Sequence, residues 1–403
     1  MLKTRNVLFY LMIIVCATQV SARPQELEYT ERQIINVWLA SPELTPTLKT
    51  LAQQFSAKHP AVQINAVNLP NEDLKTSLVK AVYNNNAPEI AIFSSDNTVY
   101  AKHMRLSAFD SLSSVSLDDT TLDALRFNDK YYGQPIQDKN RLVLMYNKSL
   151  VGNPATTWEG IIEQTPYLLQ QGILPVGVLF NEPYWFAHFV TLFDPQITNT
   201  EQPILSTPAM QQALTLYRSL ADMKSIDKDC NYDCVSIDFY AGKVAYTMGG
   251  VWALEQASEA LGKNLGIIDL PSYQGRPMHA LTSMVFLVYP NDSWNGTKQT
   301  AIRAFSAFLQ SDDAQQQLAR ATSMVPLRPD VLTDLSVVPL LVAQEKLTAP
   351  VLYMPANNAY VSIWNGMRKG LRLHQRGALS TQEAVDFMQR IALRDMAMME
   401  VAQ

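Results

Sequence analysis

Apolar and polar positions alternate with two different periods between residues 34 and 93. Apolar runs and period-two alternation predict strands at Ile34–Leu39, Val62–Ala66 and Glu89–Phe93. Between these runs, apolar residues recur at helical spacing after Pro46 and after Asn71, which predicts two amphipathic helices. This βαβαβ order predicts a mainly parallel sheet that is covered by helices.

The second half of the chain repeats this α/β style. Helices are predicted to begin at a capping box over Thr156–Glu159, at Thr207, and at a second capping box over Ser380–Glu383. The segment Val244–Met248 predicts a buried strand that runs into two glycines. Since no internal repeat or low-complexity linker separates these segments, we expect two α/β lobes joined by short crossings.

The first 22 residues differ in character from the rest of the chain. Lys3 and Arg5 precede an apolar run at Val7–Ala17, and small residues follow it as far as Ala22. This arrangement predicts a signal peptide that is cleaved after Ala22, and therefore an exported, soluble product. A membrane anchor is the alternative, but the run is short for a spanning helix of about 20 residues.

Composition and charge narrow the function classes. The chain has 403 residues, of which 47% are hydrophobic and 17% charged, so we expect two or three well-packed domains. A net charge of −5 gives no electrostatic case for binding nucleic acid or an anionic membrane.

No motif for catalysis, a metal or a cofactor stands out. The five histidines are scattered without metal-ligand spacing, and neither a nucleophile elbow nor a Walker A loop occurs. The adjacent acids Asp118-Asp119 and Asp312-Asp313 lie at predicted helix starts, where acids complement the helix dipole. A catalytic pair of acids for glycoside hydrolysis remains an alternative, because two such acids can be far apart in sequence and close together in the folded chain.

Two cysteines remain once the signal peptide, with Cys16, is removed. Cys230 and Cys234 form an even pair in the sequence CNYDC. In an oxidising compartment we expect them to form a disulfide. A metal pair is the competing interpretation, although no histidine or third cysteine lies near them.

Aromatic residues in predicted loops are the stronger indication of a ligand site. Phe93 ends a strand, Tyr184-Trp185-Phe186 follows Glu182-Pro183, Trp252 follows two glycines, and Trp364 lies in AYVSIWNGMR. Ligands of open α/β sheets bind beyond the carboxyl ends of the strands. A flat ring can cover the apolar face of a sugar while polar neighbours bind its hydroxyl groups. The alternative is that each ring belongs to the core.

The segment Asn128–Leu150 carries a family resemblance. Its order, an aromatic-Gly-x-Pro turn, a spacer and Leu-x-x-x-Tyr-Asn-Lys, resembles the first interlobe crossing of the family 1 extracellular solute-binding proteins. Over Ile34–Arg394 the chain resembles the maltose/maltodextrin-binding members of that family. The resemblance implies a type II periplasmic-binding-protein fold with three interlobe crossings. These crossings are expected near Gln137–Arg141, Ala280–Met284 and Asp334–Pro339.

The same resemblance implies the domain boundaries. After the signal peptide at 1–22, lobe 1 is expected to comprise residues 34–138 and 285–334. Lobe 2 is expected to comprise residues 142–280 and 339–403. Both lobes are therefore discontinuous in sequence.

The resemblance also implies a set of ligand-binding residues in four segments, IFSSDNTVYA, FNEPYWF, MGGVWAL and SIWNGMR. The residues that it implies are Phe93, Asp96, Asn97, Glu182, Tyr184, Trp252 and Trp364. Phe93 and Asn97 stand where the family has Trp and Arg, and Pro42-Glu43 replaces an Asp-Lys pair. Asn365 replaces the Tyr that follows the second stacking Trp. The aromatic residues that stack on the sugar in lobe 2 are thus kept, whereas the charged residues that bind its hydroxyl groups in lobe 1 are largely replaced.

The function that the resemblance implies is oligosaccharide capture. A monomeric periplasmic subunit of an ABC importer would close on a maltose-like sugar by hinge motion and deliver it to permease subunits in the inner membrane. No enzymatic activity and no cofactor are expected. The alternatives are a secreted carbohydrate-active enzyme, a protein of the same fold for a non-sugar ligand such as a polyamine or iron, and a ligand sensor.

Overall fold

The structure is a computed structural model that describes residues 31–112, 117–198, 201–224, 226–332 and 338–402. The predicted signal peptide lies outside these residues. The strands are β1 (Gln33–Leu39), β2 (Val62–Asn68), β3 (Ile90–Ser94), β4 (Gln134–Asn147), β5 (Leu174–Gly177), β6 (Val244–Gly250), β7 (Leu265–Ile268), β8 (Ala280–Val288), β9 (Val325–Pro326) and β10 (Val351–Tyr353).

The α-helices alternate with these strands along most of the chain. They are α1 (Thr45–Lys58), α2 (Asn71–Tyr83), α3 (Ala101–Met104), α4 (Asp119–Ala124), α5 (Trp158–Gln170), α6 (Pro183–Thr191), α7 (Pro208–Asp222), α8 (Tyr232–Tyr240), α9 (Leu254–Leu261), α10 (Gln299–Leu309), α11 (Asp312–Thr322), α12 (Pro339–Glu345), α13 (Asn358–Gln375) and α14 (Thr381–Ala402). Two 3₁₀ turns, Ser95–Tyr100 and Val251–Ala253, follow strand ends. Within the described ranges, none of the helices combines the length and apolar character that a membrane span requires.

The strands form one mixed sheet whose main path is β2-β1-β3-β8-β4-β6-β5, while β7 and β9 pair with β4, and β10 pairs with β8. The predicted βαβαβ unit is confirmed, because β1 pairs in parallel with both β2 and β3. The expectation of a mainly parallel sheet is wrong, since β8 is antiparallel to β3 and to β4, and β4 is antiparallel to β6. The physical reason is that β4 and β8 are not part of βαβ units, so the crossover rule does not fix their direction.

Strands β4 and β8 each pass from one hydrophobic core into another. In β4, Ile136 packs in a core with α1 and α10, whereas Leu142–Met145 pack in the core that contains Trp158 and Phe189. In β8, Ala280 and Leu281 belong to this second core, and Met284, Phe286 and Val288 belong to the core beside α2. The molecule therefore has two α/β lobes that share a pair of long strands.

The expected crossings at Gln137–Arg141 and Ala280–Met284 lie on β4 and β8, and the third, Asp334–Pro339, falls mostly outside the described residues. We call the part built on β1, β2 and β3 the first lobe and the part built on β5 and β6 the second lobe. The residue boundaries given above for the lobes stay a prediction.

Capping at helix starts follows the sequence with one correction. Ser380 and Glu383 form a reciprocal box, because the Ser380 N–H donates to the Glu383 carboxylate at 2.8 Å and the Glu383 N–H donates to the Ser380 hydroxyl at 3.3 Å. The box predicted from Thr156 is wrong by one residue, since Thr157 caps α5 by accepting from the Gly160 N–H at 3.0 Å. Glu159 instead accepts from the backbone of Gln274.

Cys230 and Cys234 are joined by a disulfide, as expected from the sequence. Cys230 precedes α8 and Cys234 lies in its first turn. Asn231 between them caps this helix by accepting from the Cys234 N–H at 3.0 Å. The start of α8 is thus fixed by both a covalent link and a side-chain cap.

Candidate ligand-binding site

Trp252 lies at the end of the central strand of the second lobe. Strand β6 is buried along its whole length and ends in the 3₁₀ turn that carries Trp252. A Cβ atom on Gly250 would lie 2.1–2.2 Å from atoms of the Trp252 ring, so only glycine allows the ring to lie over the backbone there. The indole N–H of Trp252 donates to the hydroxyl of Tyr232 at 3.0 Å. Its ring is therefore held on one face and at one edge.

Tyr184 lies beside this ring at the start of α6. Its ring stacks on Trp252 with centroids 6.5 Å apart and an angle of 28°, and it lies 6.0 Å from Trp364 at 36°. Its hydroxyl donates to the carbonyl of Leu281 at 2.9 Å, on strand β8. Burial, followed by the negative charge of Asp96, raises the pKa of Tyr184, so the phenol stays neutral. Tyr184 therefore connects the ring cluster to a crossing strand.

Trp364 comes from a third segment of the chain, helix α13. Asn357 caps this helix by accepting from the Tyr360 N–H at 2.7 Å. Tyr360 lies one turn before Trp364, with ring centroids 6.2 Å apart. The Tyr360 hydroxyl is buried and has no hydrogen-bond partner among the described residues. We call Tyr184, Trp252 and Trp364, with Tyr232 and Tyr360, the aromatic wall.

Asp96 faces the aromatic wall from the first lobe. It lies in the 3₁₀ turn after β3, and its Oδ1 atom is buried without a hydrogen bond from the described residues. Burial raises the pKa of Asp96 to about 6, and the positive charge of Lys75 opposes this rise. The charge of Asp96 in turn raises the pKa of Tyr184 and Tyr360. An oxygen so placed can accept hydrogen bonds from ligand hydroxyl groups.

Glu43 is a second carboxylate of the first lobe whose charge acts on the second lobe. It lies half-buried just before α1, and burial raises its pKa, while bonds to its own backbone and to Ser41 lower it. Its negative charge raises the pKa of Tyr232 and Tyr240, both on α8 of the second lobe. We call Glu43 and Asp96 the acidic rim, because each carboxylate of this pair influences tyrosines of the opposite lobe.

The structure brings together four of the seven residues expected at the site: Asp96, Tyr184, Trp252 and Trp364. Phe93 is half-buried and packs against a core of the first lobe. The side-chain amide of Asn97 donates within its own turn, to the Ser94 carbonyl at 3.4 Å. Glu182 stands at the N-cap of α6, and its charge raises the pKa of Tyr217 in the second-lobe core.

Other residues around the site were not singled out from the sequence. Tyr232 and Tyr360 belong to the aromatic wall, yet nothing in CNYDC or in the helical spacing of α13 shows which way their rings point. His188 lies one turn after Tyr184 and is fully buried. A signal existed for Arg141, a charge placed directly before the buried run of β4.

His188 ties α6 to the same crossing residue that Tyr184 contacts. Its Nδ1 atom lies 2.7 Å from the Tyr184 carbonyl oxygen, and its Nε2 atom accepts from the Leu281 N–H at 3.1 Å. The ring is therefore neutral with its proton on Nδ1, and burial lowers the pKa of His188 to about 4. The backbone N–H and the carbonyl of Leu281 are thus each hydrogen-bonded by a side chain of α6.

Arg141 places a buried cation at the crossing. It is 5% exposed, and its Nε atom has no hydrogen-bond partner among the described residues. Desolvation lowers its pKa, and the nearby charges of Asp269 and Asp138 oppose this change. Asp138 itself accepts from the Tyr353 hydroxyl at 2.7 Å. The crossing between the lobes is therefore polar and charged rather than an apolar hinge.

The site combines aromatic ring faces with carboxylate groups. Within the residues that the structure describes, no three His, Cys, Asp or Glu side chains are grouped so that they could hold a metal ion. The arrangement offers flat apolar ring faces on one side and carboxylate acceptors on the other. Such a combination binds a molecule with apolar faces and hydroxyl edges.

Comparison with known proteins agrees with this architecture. The family model of the bacterial extracellular solute-binding proteins matches residues 50–343. Among solved structures, the maltose/maltodextrin-binding domain MalE from Bdellovibrio bacteriovorus, bound to maltotriose, superposes with a TM-score of 0.78. The match covers 90% of this chain and 100% of that domain, at 20% sequence identity. Family and fold are those of binding proteins, and the chain is a member of the bacterial extracellular solute-binding protein family.

Proposed function

We propose that this protein is the periplasmic substrate-binding subunit of an ABC importer and that its ligand is a neutral oligosaccharide of the maltodextrin type. The observation that carries the proposal is the aromatic wall opposite Asp96. Ring faces cover the apolar faces of pyranose units, and the carboxylate accepts from their hydroxyl groups. The maltotriose bound to the MalE domain from Bdellovibrio bacteriovorus supports this ligand class.

Binding is coupled to closure of the two lobes. The aromatic wall belongs to the second lobe and the acidic rim to the first, so a ligand that contacts both favours the closed form. Tyr184 and His188 contact Leu281 in β8, and this strand links the lobes. A ligand on Tyr184 therefore acts directly beside a crossing strand. The closed form is the one that a permease would recognise.

A ligand screen on the purified mature protein tests the proposal. Thermal shifts are measured with maltose, maltotriose, trehalose, sucrose, cellobiose and chito-oligosaccharides, and with polyamines and iron as non-sugar probes. A ligand at about 100 times its Kd stabilises the protein by about 2.7 kcal/mol, which gives a clear rise in Tm. We expect the largest rise with an α-linked glucoside. A rise with a polyamine or iron alone would overturn the sugar assignment and leave the fold untouched.

Two further measurements separate binding from the alternatives. Chromatography of the sugar after prolonged incubation should recover it unchanged, whereas cleavage products would identify a carbohydrate-active enzyme. Small-angle scattering should show a smaller radius of gyration with the bound sugar. Fractionation of the producing cells should place the mature protein in the periplasm, with its N-terminus at Arg23.

A further inference from the structure

The disulfide segment of α8 lies next to the aromatic wall. Tyr232 stands between the two linked cysteines, and its hydroxyl accepts the indole N–H of Trp252 at 3.0 Å. The ring of Tyr232 also meets Trp185 edge to face, with centroids 6.5 Å apart. One residue of the disulfide loop is therefore bonded directly to a ring of the wall.

The packing of α8 against the second-lobe sheet leaves a small gap. A small cavity with room for about one water molecule lies between this helix and strand β6. Val235 and Phe239 line it from the helix, and Thr247 and Gly249 line it from the strand. Val235 and Phe239 are buried in the second-lobe core, so they anchor the body of the helix, and the start of α8 depends on its own local contacts. The disulfide and the Asn231 cap both act within residues 230–234, so they restrict the backbone on either side of Tyr232 at the start of α8.

We infer that Tyr232 is a positioning residue for Trp252 and that the Cys230–Cys234 disulfide holds Tyr232 in place for this task. The disulfide limits the motion of the α8 start, Tyr232 fixes the edge of the indole, and Gly250 supports its face. The ring is thereby pre-organised for stacking, so less conformational freedom is lost when the ligand binds. The inference rests on the proposed function, because a fixed Trp252 matters only if the ring contacts the ligand.

The first test needs no ligand. In ¹⁵N-labelled protein, the indole N–H signal of Trp252 is assigned by its loss in Trp252→Phe, and its exchange rate with water is measured. A hydrogen-bonded N–H exchanges slowly, so Tyr232→Phe should raise this rate at least tenfold. Tyr240→Phe is the matched control, since Tyr240 lies on the same helix near Glu43 and its hydroxyl, like that of Tyr232, is hydrogen-bonded to Ser236. Equal rates in wild type and Tyr232→Phe would overturn the inference.

The second test reports on binding, with maltotriose as the probe. Loss of one hydrogen bond and of the pre-organised ring should lower the affinity of Tyr232→Phe about fivefold, with Tyr240→Phe unchanged. A Tyr232→Phe affinity equal to that of wild type would overturn the positioning role, even though the proposed function stood. If wild type binds no sugar, the proposed function fails, while the exchange experiment still decides whether Tyr232 holds the indole.

The role of the disulfide is tested by reducing it. Dithiothreitol supplies two electrons and two protons, so the Sγ–Sγ bond becomes two thiols while the reagent forms its cyclic disulfide. Reduction of wild type should raise the indole exchange rate and lower maltotriose affinity severalfold, and reoxidation should restore both. Reduction should change neither value further in Tyr232→Phe. The double variant Cys230→Ser/Cys234→Ser should match reduced wild type; oxidised and reduced protein that behave alike would overturn the role of the disulfide.

Discussion

The two sides of the candidate site are built in different ways. The rings of the aromatic wall come from α6, α8, α13 and the turn after β6 in the second lobe, and contacts with other residues fix Tyr184 and Trp252 in place. The acidic rim of the first lobe consists of two carboxylates on short segments, and burial raises the pKa of both. Rings held in a fixed position offer a stacking surface to any pyranose. Buried carboxylates, in contrast, distinguish one arrangement of ligand hydroxyl groups from another. We therefore expect the wall to govern affinity and the rim to govern selectivity and pH dependence.

The largest effect is expected from removing a ring of the wall. Trp252→Ala should weaken maltotriose binding by about 3 kcal/mol, the range for a buried aromatic anchor, because the stacking face is lost. Isothermal titration calorimetry measures the affinity, and circular dichroism checks the fold. Tyr167→Ala is the control, since this aromatic side chain is 66% exposed on α5. Unchanged affinity in Trp252→Ala would remove this ring from the site.

The second effect concerns the charge of Asp96. Asp96→Asn should weaken binding at pH 7 by about 1.5–3 kcal/mol, the usual contribution of a hydrogen bond to a charged group. Because the pKa of Asp96 is about 6, wild-type affinity should fall as the pH is lowered from 7 to 5. Titration calorimetry at several pH values measures both effects. A wild-type pH profile retained in Asp96→Asn would show that another group titrates.

The same group gives a prediction for the ligand-free protein. The pKa of Asp96 is raised from 3.8 to about 6, so folding favours the protonated form. Its contribution to stability is therefore fully present below pH 3.8 and is lost as the pH rises through about 6. The Tm of Asp96→Asn relative to wild type should accordingly increase between pH 4 and 7. A constant difference in Tm over this range would contradict the raised pKa.

How far the sequence predicts a residue of the site depends on whether its role follows from local sequence or from contacts in the folded chain. Trp364 lies within helix α13, so its prediction as a loop residue is wrong, whereas Trp252 lies in a turn. Both Trp252 and Trp364 were expected at the site, from their neighbours in sequence and by resemblance. Tyr232 was not, because the direction of its ring follows from how α8 packs on β6. Asp96 was expected by resemblance, but its raised pKa results from burial in the folded chain. Local patterns therefore predicted the elements, whereas register shifts in β4 and interlobe contacts required the folded chain.

The third effect tests the link between the wall and the crossing strand. Tyr184→Phe keeps the ring but removes the donor to the Leu281 carbonyl, which should reduce the free energy of unfolding by about 1 kcal/mol. Affinity should change less than in Trp252→Ala, because the stacking face remains. Urea denaturation and calorimetry measure the two quantities, with Tyr167→Phe as the control. A loss of affinity as large as in Trp252→Ala would place the hydroxyl itself in contact with the ligand.

The smallest effect is expected at Asn97, and it decides whether the first lobe binds the sugar through residues beyond the acidic rim. The side-chain amide of Asn97 donates to the carbonyl of Ser94 in the same turn, at a long distance of 3.4 Å. A half-exposed bond of this length contributes little, so Asn97→Ala should change maltotriose affinity by less than about 0.5 kcal/mol. Titration calorimetry of Asn97→Ala and Asp96→Asn compares the affinities of two variants at neighbouring positions in the same turn. If Asn97→Ala instead loses as much affinity as Asp96→Asn, the ligand draws the amide away from Ser94. The first lobe then binds the sugar with the whole turn, because one carboxylate alone would not account for both losses.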